Sequence, residues 1–134
     1  MTDKEITKVS DIMSRDVISV EPTATVSDAV RLMRENHTSS VLVERRDEAD
    51  EFGLVTVGEV ASEVLAKNLS PERVNVYEIM SKPVVTLAAE MNVVYAVRLL
   101  TRFGLTRALV VDHDRNPVGI ITLRDMVIRS VADE

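Results

Sequence analysis

Ile12-Met13-Ser14 and Ile79-Met80-Ser81 are the same tripeptide, and the reading of this chain follows from what happens when one is laid on the other. At that shift of 67 residues, Val17 falls on Val84, Val26 on Val93, and Ala29-Val30-Arg31-Leu32 on Ala96-Val97-Arg98-Leu99. Leu42-Val43 falls on Leu109-Val110. With one residue dropped in a loop, Gly53 falls on Gly119 and Thr56 on Thr122. Thirteen identities in order, mostly apolar, mark an internal duplication. A unit of about 55–60 residues present twice is longer than most solenoid repeats, and reads as two half-domains.

Each half carries the same order of elements. Residues 17–20 (84–87 in the second half) form a short β-rich run. A helix follows, with Thr25 as N-cap and Val26, Ala29, Val30 and Met33 at i, i+3, i+4 and i+7. Its partner has Asn92 at the cap and Val93, Ala96, Val97 and Leu100 on the matching face. Two strands then make a hairpin, 41–44 with 52–56 and 108–112 with 118–122, and a last helix closes each half. The order β-α-β-β-α, twice, makes this an α/β (α+β) protein. The segments are a polar tail 1–8, repeat one 9–66, a connector 67–75 and repeat two 76–134. Each half alone buries too little apolar surface for secure stability, so the two are expected to pack as one module.

Composition removes several classes of function. The 134 residues are 46% hydrophobic, which excludes a disordered chain, and no stretch approaches the ~20 apolar residues of a membrane span. The polar N-terminus lacks a signal-peptide core, and with no cysteine there is no disulfide, thiolate nucleophile or Cys-based zinc site. A cytoplasmic protein is expected. The net charge of −6, scattered basic residues and an aromatic content of 3% argue against nucleic acid as a ligand. No Ser-His-Asp set, catalytic carboxylate pair or P-loop is visible, so no catalytic residue, metal site or catalytic cofactor is assigned. His37 reads as a helix-end residue, His113 as a turn residue, and residues 47–51 as an exposed acidic hairpin loop.

The chemistry concentrates at Thr122-Leu123-Arg124-Asp125, where a strand passes into a helix. A helix N-terminus offers free N–H groups and positive dipole to a phosphate. A short carboxylate one turn in can accept both ribose hydroxyls. The same spacing is also that of a helix capping box, and Thr56-Val57-Gly58-Glu59 fits that box still better.

A β-α-β-β-α unit opening with Ile-Met-Ser and closing with Gly119-Ile120-Ile121-Thr122-Leu123-Arg124-Asp125 resembles a CBS domain, and two in tandem resemble a CBS pair, or Bateman module. The second half is the closer match. The first departs at Glu51, Phe52 and Glu59, where the family prefers proline, an aliphatic residue and aspartate. The resemblance implies two pseudo-twofold-related repeats packed through their sheets, with clefts for AMP, ADP, ATP or S-adenosylmethionine. It implies a regulatory rather than enzymatic role, a homodimer, and a separate regulated protein acting in trans. Carried over by position, Asp125 would grip the ribose and Thr122 lie near the phosphate. Thr106 and Arg107 would contact phosphate, Ile18 and Ile120 would supply adenine-facing backbone and an apolar wall, and Thr38, Ser39 and Ser40 small hydroxyl contacts. A weaker second cleft would draw on Met80, Val85, Leu105, Leu54, Thr56 and Glu59, with the longer Glu59 crowding a ribose. The alternatives are a structural dimerisation module with a vestigial cleft and an S-adenosylmethionine-binding CBS pair.

Overall fold

A computed structural model describes residues 6–132. Residues 1–5 of the polar tail and 133–134 at the end of repeat two lie outside the described residues. The chain divides into two compact units, one of residues 18–84 and one joining 6–17 to 85–132.

The first unit holds β1 (Ser19–Val20), α2 (Val26–Glu35), β2 (Ser40–Val43), β3 (Gly53–Thr56) and α3 (Val57–Val60), with α1 (Val9–Ile12) belonging to the other. β1 runs parallel to β2, and β2 antiparallel to β3 through Ser40↔Thr56 to Val43↔Gly53. Thr25 caps α2 as its sequence foretold: its hydroxyl accepts the Asp28 N–H at 3.0 Å, and the Asp28 carboxylate accepts the Thr25 N–H at 3.3 Å. Val26, Ala29 and Met33 are buried against the sheet. Val30, expected on that face, is 37% exposed, because three apolar positions already span the width of the seam. α3 does not continue as a regular helix. It passes into one π-helical stretch, Ala61–Leu65, which buries Val64 and leaves Leu65 exposed. A 3₁₀ turn, Val76–Glu78, closes the unit, with Val76 wholly buried in the same core.

The second unit repeats the plan with β4 (Thr86–Ala88), α4 (Val93–Arg102), β5 (Arg107–Val111), β6 (Pro117–Thr122) and α5 (Leu123–Ala132). β4 lies parallel to β5, which pairs antiparallel with β6, Arg107 opposite Thr122. Asn92 caps α4 by accepting the Val94 N–H at 2.9 Å. α2 and α4 end alike: His37 (φ 52°) and Gly104 (φ 65°), matched in the repeat, both turn left-handed past the last helical residue.

The compact units are offset from the repeats. α1 heads the first repeat, yet Val9, Ile12 and Met13 are buried in the core of the second unit, and Ile79 and Met80 pack on the core of the first. The reason lies in two glycines. Met13 Sδ sits 2.5 Å from where a Cβ on Gly119 would be, and Met80 Sδ 2.6 Å from one on Gly53. Each leading tripeptide needs a bare strand position to lie on, and finds it on the hairpin of the other repeat. Backbone bonds fix the contact: Ser14 and Ile120 exchange N–H···O bonds of 2.8 and 2.9 Å, and Leu54 and Ser81 two of 2.9 Å.

The acidic hairpin loop is not simply a solvated run. Asp50 is nearly covered, its side chain 10% exposed, and it accepts from Lys82 Nζ at 2.7 Å, the Arg46 N–H at 2.9 Å and Arg46 Nε at 3.3 Å. The Lys82 ammonium, then the Arg46 N–H, hold the Asp50 carboxyl well below the usual carboxylate range. A folded-state pKa depressed in this way contributes stability above the unfolded value of about 4, and that contribution fades as pH falls below it. Asp50→Asn should therefore lower the melting temperature at pH 7, and the gap from the parent protein should narrow in melts run near pH 3. An unchanged gap at the two pH values would contradict the ion pair.

Candidate functional site

Two strand-to-helix junctions carry the residues expected to bind a ligand, one in each unit. In the second unit, β5 and β6 put Arg107 directly across from Thr122, and the Leu123 N–H donates to the Thr106 carbonyl at 2.8 Å. This bond draws the start of β5 under the first turn of α5. Thr106, Arg107, Thr122, Leu123 and Arg124 thereby line one open cavity of about 420 Å³, with Val127 and Ile128 as its apolar wall.

Asp125 stands one turn into α5. Its N–H donates to the Thr122 hydroxyl at 3.1 Å, half of a capping box, while its carboxylate faces Arg124 Nη1 at 3.7 Å, longer than a hydrogen bond. Arg107 is half-buried. Burial holds its guanidinium below the ordinary arginine pKa, and the negative charge of Asp125 works the other way. An arginine remains charged under such a shift, so the junction holds a cation at the start of β5, a hydroxyl at the end of β6 and, next to the cavity-lining Arg124, a carboxylate one turn into α5.

The first unit builds the same junction and uses it differently. The Val57 N–H donates to the Ser39 carbonyl at 3.0 Å, matching Leu123 on Thr106. Glu59 is fully engaged: Oε1 accepts the Thr56 N–H at 3.0 Å and the Thr56 hydroxyl at 3.2 Å, and Oε2 accepts the Ser81 hydroxyl at 2.6 Å. The Glu59 N–H in turn donates to Thr56 Oγ1 at 3.3 Å. The Glu59 side chain reaches back to its own cap, as the shorter Asp28 does at Thr25, and its second oxygen extends to Ser81. A carboxylate with both oxygens spent on the protein is poorly placed to take ribose hydroxyls. The bond from Ser81 was invisible to local spacing, lying 22 residues away.

The remaining expected residues fall as follows. Ile120 has its N–H and C=O bonded to Ser14, which leaves its half-buried side chain as the surface it can offer. Val85 and Leu105 pack at the edge of the second core, and Met80 at the edge of the first. Ile18, Thr38, Ser39, Ser40 and Leu54 belong to the first unit. The Thr38 hydroxyl donates to the Ser40 carbonyl at 3.4 Å and accepts the Ser40 N–H at 3.5 Å, so Thr38 serves local backbone, and Ser40 is buried. Val60 and Met126 are buried inside their own units at 6% and 0% exposure. The apolar positions that stay open beside them are Val57, Leu65, Val127, Ile128 and Val131. Among the described residues no helix is long and apolar enough to cross a membrane.

This pair of duplicated junctions defines a class. The family model of the CBS domain matches the chain twice, over residues 9–66 and 76–131, and the chain belongs to that family. Among solved structures it is similar to a hexameric CBS-CP12 protein from bloom-forming cyanobacteria, at 35% identity and a TM-score of 0.89, covering 93% of this chain and 72% of that one. It also resembles the CBS domain of a bacterial CNNM/CorC family Mg²⁺ transporter in complex with ATP, at 26% identity and a TM-score of 0.76, over 93% and 87% of the two chains. Among curated relatives, an uncharacterised protein of Methanopyrus kandleri is 33% identical over 120 residues, 89% of this chain. The chain spans 60% of that relative's length.

Proposed function

We propose that this chain is a regulatory module that binds an adenine nucleotide at the Thr122–Asp125 junction and modulates a separate partner protein. The observation that carries the reading is the contrast between the two carboxylates. Asp125 sits one turn into a ten-residue helix, next in sequence to Arg124, which lines the cavity with Thr106, Arg107 and Thr122. Among the described residues its carboxylate has a 3.7 Å contact to Arg124 and faces the charge of Arg107. Glu59 is spent on its own cap and on Ser81. One site dominates, and the Glu59 junction is structural. The ATP complex of the transporter relative supports the choice of ligand class. AMP, ADP and ATP share the ribose that Asp125 would hold and differ in the phosphates that Arg107, Thr106 and Thr122 would meet. A nucleotide regulates through such a site only by binding one conformation of the protein better than another.

Arg107 separates phosphate recognition from nucleoside recognition. A charge-assisted hydrogen bond is worth about 1.5–3 kcal/mol, or about tenfold or more in affinity. Arg107→Ala should weaken ATP binding by at least that factor, leave adenosine binding nearly unchanged, and flatten the salt dependence in isothermal titration. Arg107→Lys should restore part of the loss, since a point charge replaces a fork. Equal losses for adenosine and ATP would show that the arginine supports the fold and not the phosphate.

The chain should also be a homodimer. Val57, Leu65, Val127 and Val131 are each at least half exposed and Ile128 nearly so, and an isologous contact is the commonest way to cover a repeated surface. Light scattering at micromolar concentration should give twice the chain mass; a monomer mass throughout would rule this out.

A further inference from the structure

The duplication lets one helix serve as the reference for the other. On the outer side of α2, Asp28, Arg31 and Glu35 stand at i, i+3 and i+7, and Arg31 pairs with both acids, at 3.4 Å to Asp28 and 4.0 Å to Glu35. At the matching positions α4 has Tyr95, Arg98 and Arg102. Both carboxylates are gone, and a stripe of net charge −1 has become one of +2. Asn36, past the end of α2, is matched by Phe103. All four side chains are exposed, Tyr95 at 59% and Phe103 at 62%, and each guanidinium lies over a ring: Arg98 5.5 Å from the centre of Tyr95, Arg102 6.0 Å from that of Phe103. Neither arginine makes an ion pair among the described residues. Exposed tyrosine and arginine together are the composition of binding hot spots.

We infer that the Tyr95–Arg98–Arg102–Phe103 face of α4 is a docking surface for an acidic, extended peptide segment of a partner protein. Charge complementarity chooses the occupant. The chain as a whole carries −6, so this stripe is a local positive spot on an acidic protein. An extended polyanion such as duplex nucleic acid would meet repulsion beyond it, whereas a short acidic segment would not. Spacing agrees. Arg98 and Arg102 are separated by about 6 Å along the helix, one turn and a little more. Carboxylates two residues apart on an extended strand are separated by about 6.5–7 Å. Alternate acids on one edge of the peptide thus meet both guanidiniums. This surface is independent of the nucleotide reading and can stand or fall without it.

The test is a titration of the ¹⁵N-labelled full chain with a capped hexapeptide of alternating Glu and Leu, read by amide chemical shifts. Saturable shifts should cluster in residues 94–103, and the Gln-for-Glu peptide should bind about tenfold more weakly or worse. Arg98→Glu/Arg102→Glu should abolish the shifts, the milder Arg98→Gln/Arg102→Gln should weaken them, and Asp28→Asn/Glu35→Gln on α2 should leave them unchanged. Four outcomes of the titration would overturn the proposal. These are absence of shifts at millimolar peptide, shifts lying outside α4, equal binding of the neutral peptide, or equal shifts from a twelve-base-pair DNA duplex. A change of oligomeric mass in the Arg98→Glu/Arg102→Glu chain would equally overturn it, by showing the face to be covered by a second copy.

Discussion

Asp125→Ala should abolish most calorimetrically detectable adenine-nucleotide binding, while Glu59→Ala leaves it nearly unchanged. A carboxylate that accepts both ribose hydroxyls makes two charge-assisted hydrogen bonds, each worth about 1.5–3 kcal/mol. Losing them lowers affinity by about a hundredfold or more. Asp125 has the reach for that role because its carboxylate makes no contact closer than 3.7 Å among those described. Glu59 should reveal itself instead in stability. Its removal strips the Thr56 N–H and the Ser81 hydroxyl of their acceptor, and loss of a capping interaction costs about 1 kcal/mol. The two variants therefore separate in opposite directions: one loses ligand and keeps its melting temperature, the other keeps ligand and melts earlier. Equal losses of binding from both would refute the asymmetry between the junctions.

Gly119→Ala should destabilise the second unit by about 1–3 kcal/mol, the usual cost of overpacking a core, with Gly53→Ala milder. A Cβ at position 119 would meet Met13 Sδ at 2.5 Å, and also the Ser14 carbonyl oxygen at 2.8 Å. The sulfur is the end of a flexible side chain and can turn away. The carbonyl cannot move without disturbing the pair of bonds that Ser14 and Ile120 exchange. At position 53 the Met80 sulfur is as close, at 2.6 Å, but the nearest backbone oxygen, of Ser81, is 3.3 Å away. Urea unfolding of the single and double variants decides the matter. Met80→Ala should relieve most of the strain of Gly53→Ala, and Met13→Ala only part of that of Gly119→Ala. Indifference of Gly119→Ala to any change at Met13 would show that the leading segment does not lie on that strand.

Much of this architecture is written in the repeat. The caps at Thr25 and Asn92, both hairpins and the strand-to-helix position of Thr122 depend on neighbours a few residues away, and local spacing reports them well. The exchange of the leading tripeptides was not legible, because aligning the repeats shows that Met13 matches Met80 but not which hairpin either one lies on. Asp50 escaped for a related reason: its charge partner Lys82 is distant in sequence, and an acidic run reads as solvated until that partner is placed. At the site, the type of residue was legible and its engagement was not. Thr56 and Thr122 begin motifs of the same spacing that differ in their closing acid, and the engagement of Glu59 with its cap and with Ser81 distinguishes a closed junction from an open one.

The most direct measurement is the melting temperature of the full chain in the presence of AMP, ADP, ATP, S-adenosylmethionine, GMP and GTP. A ligand that binds only the folded state raises stability by mass action, about 2.7 kcal/mol at a concentration a hundred times its dissociation constant. At least one of AMP, ADP and ATP should give a saturable rise that the guanine nucleotides do not match, and Asp125→Ala should erase it. No rise with any adenine nucleotide at millimolar concentration, or a rise as large with GTP, would contradict an adenine-nucleotide site at the Thr122–Asp125 junction.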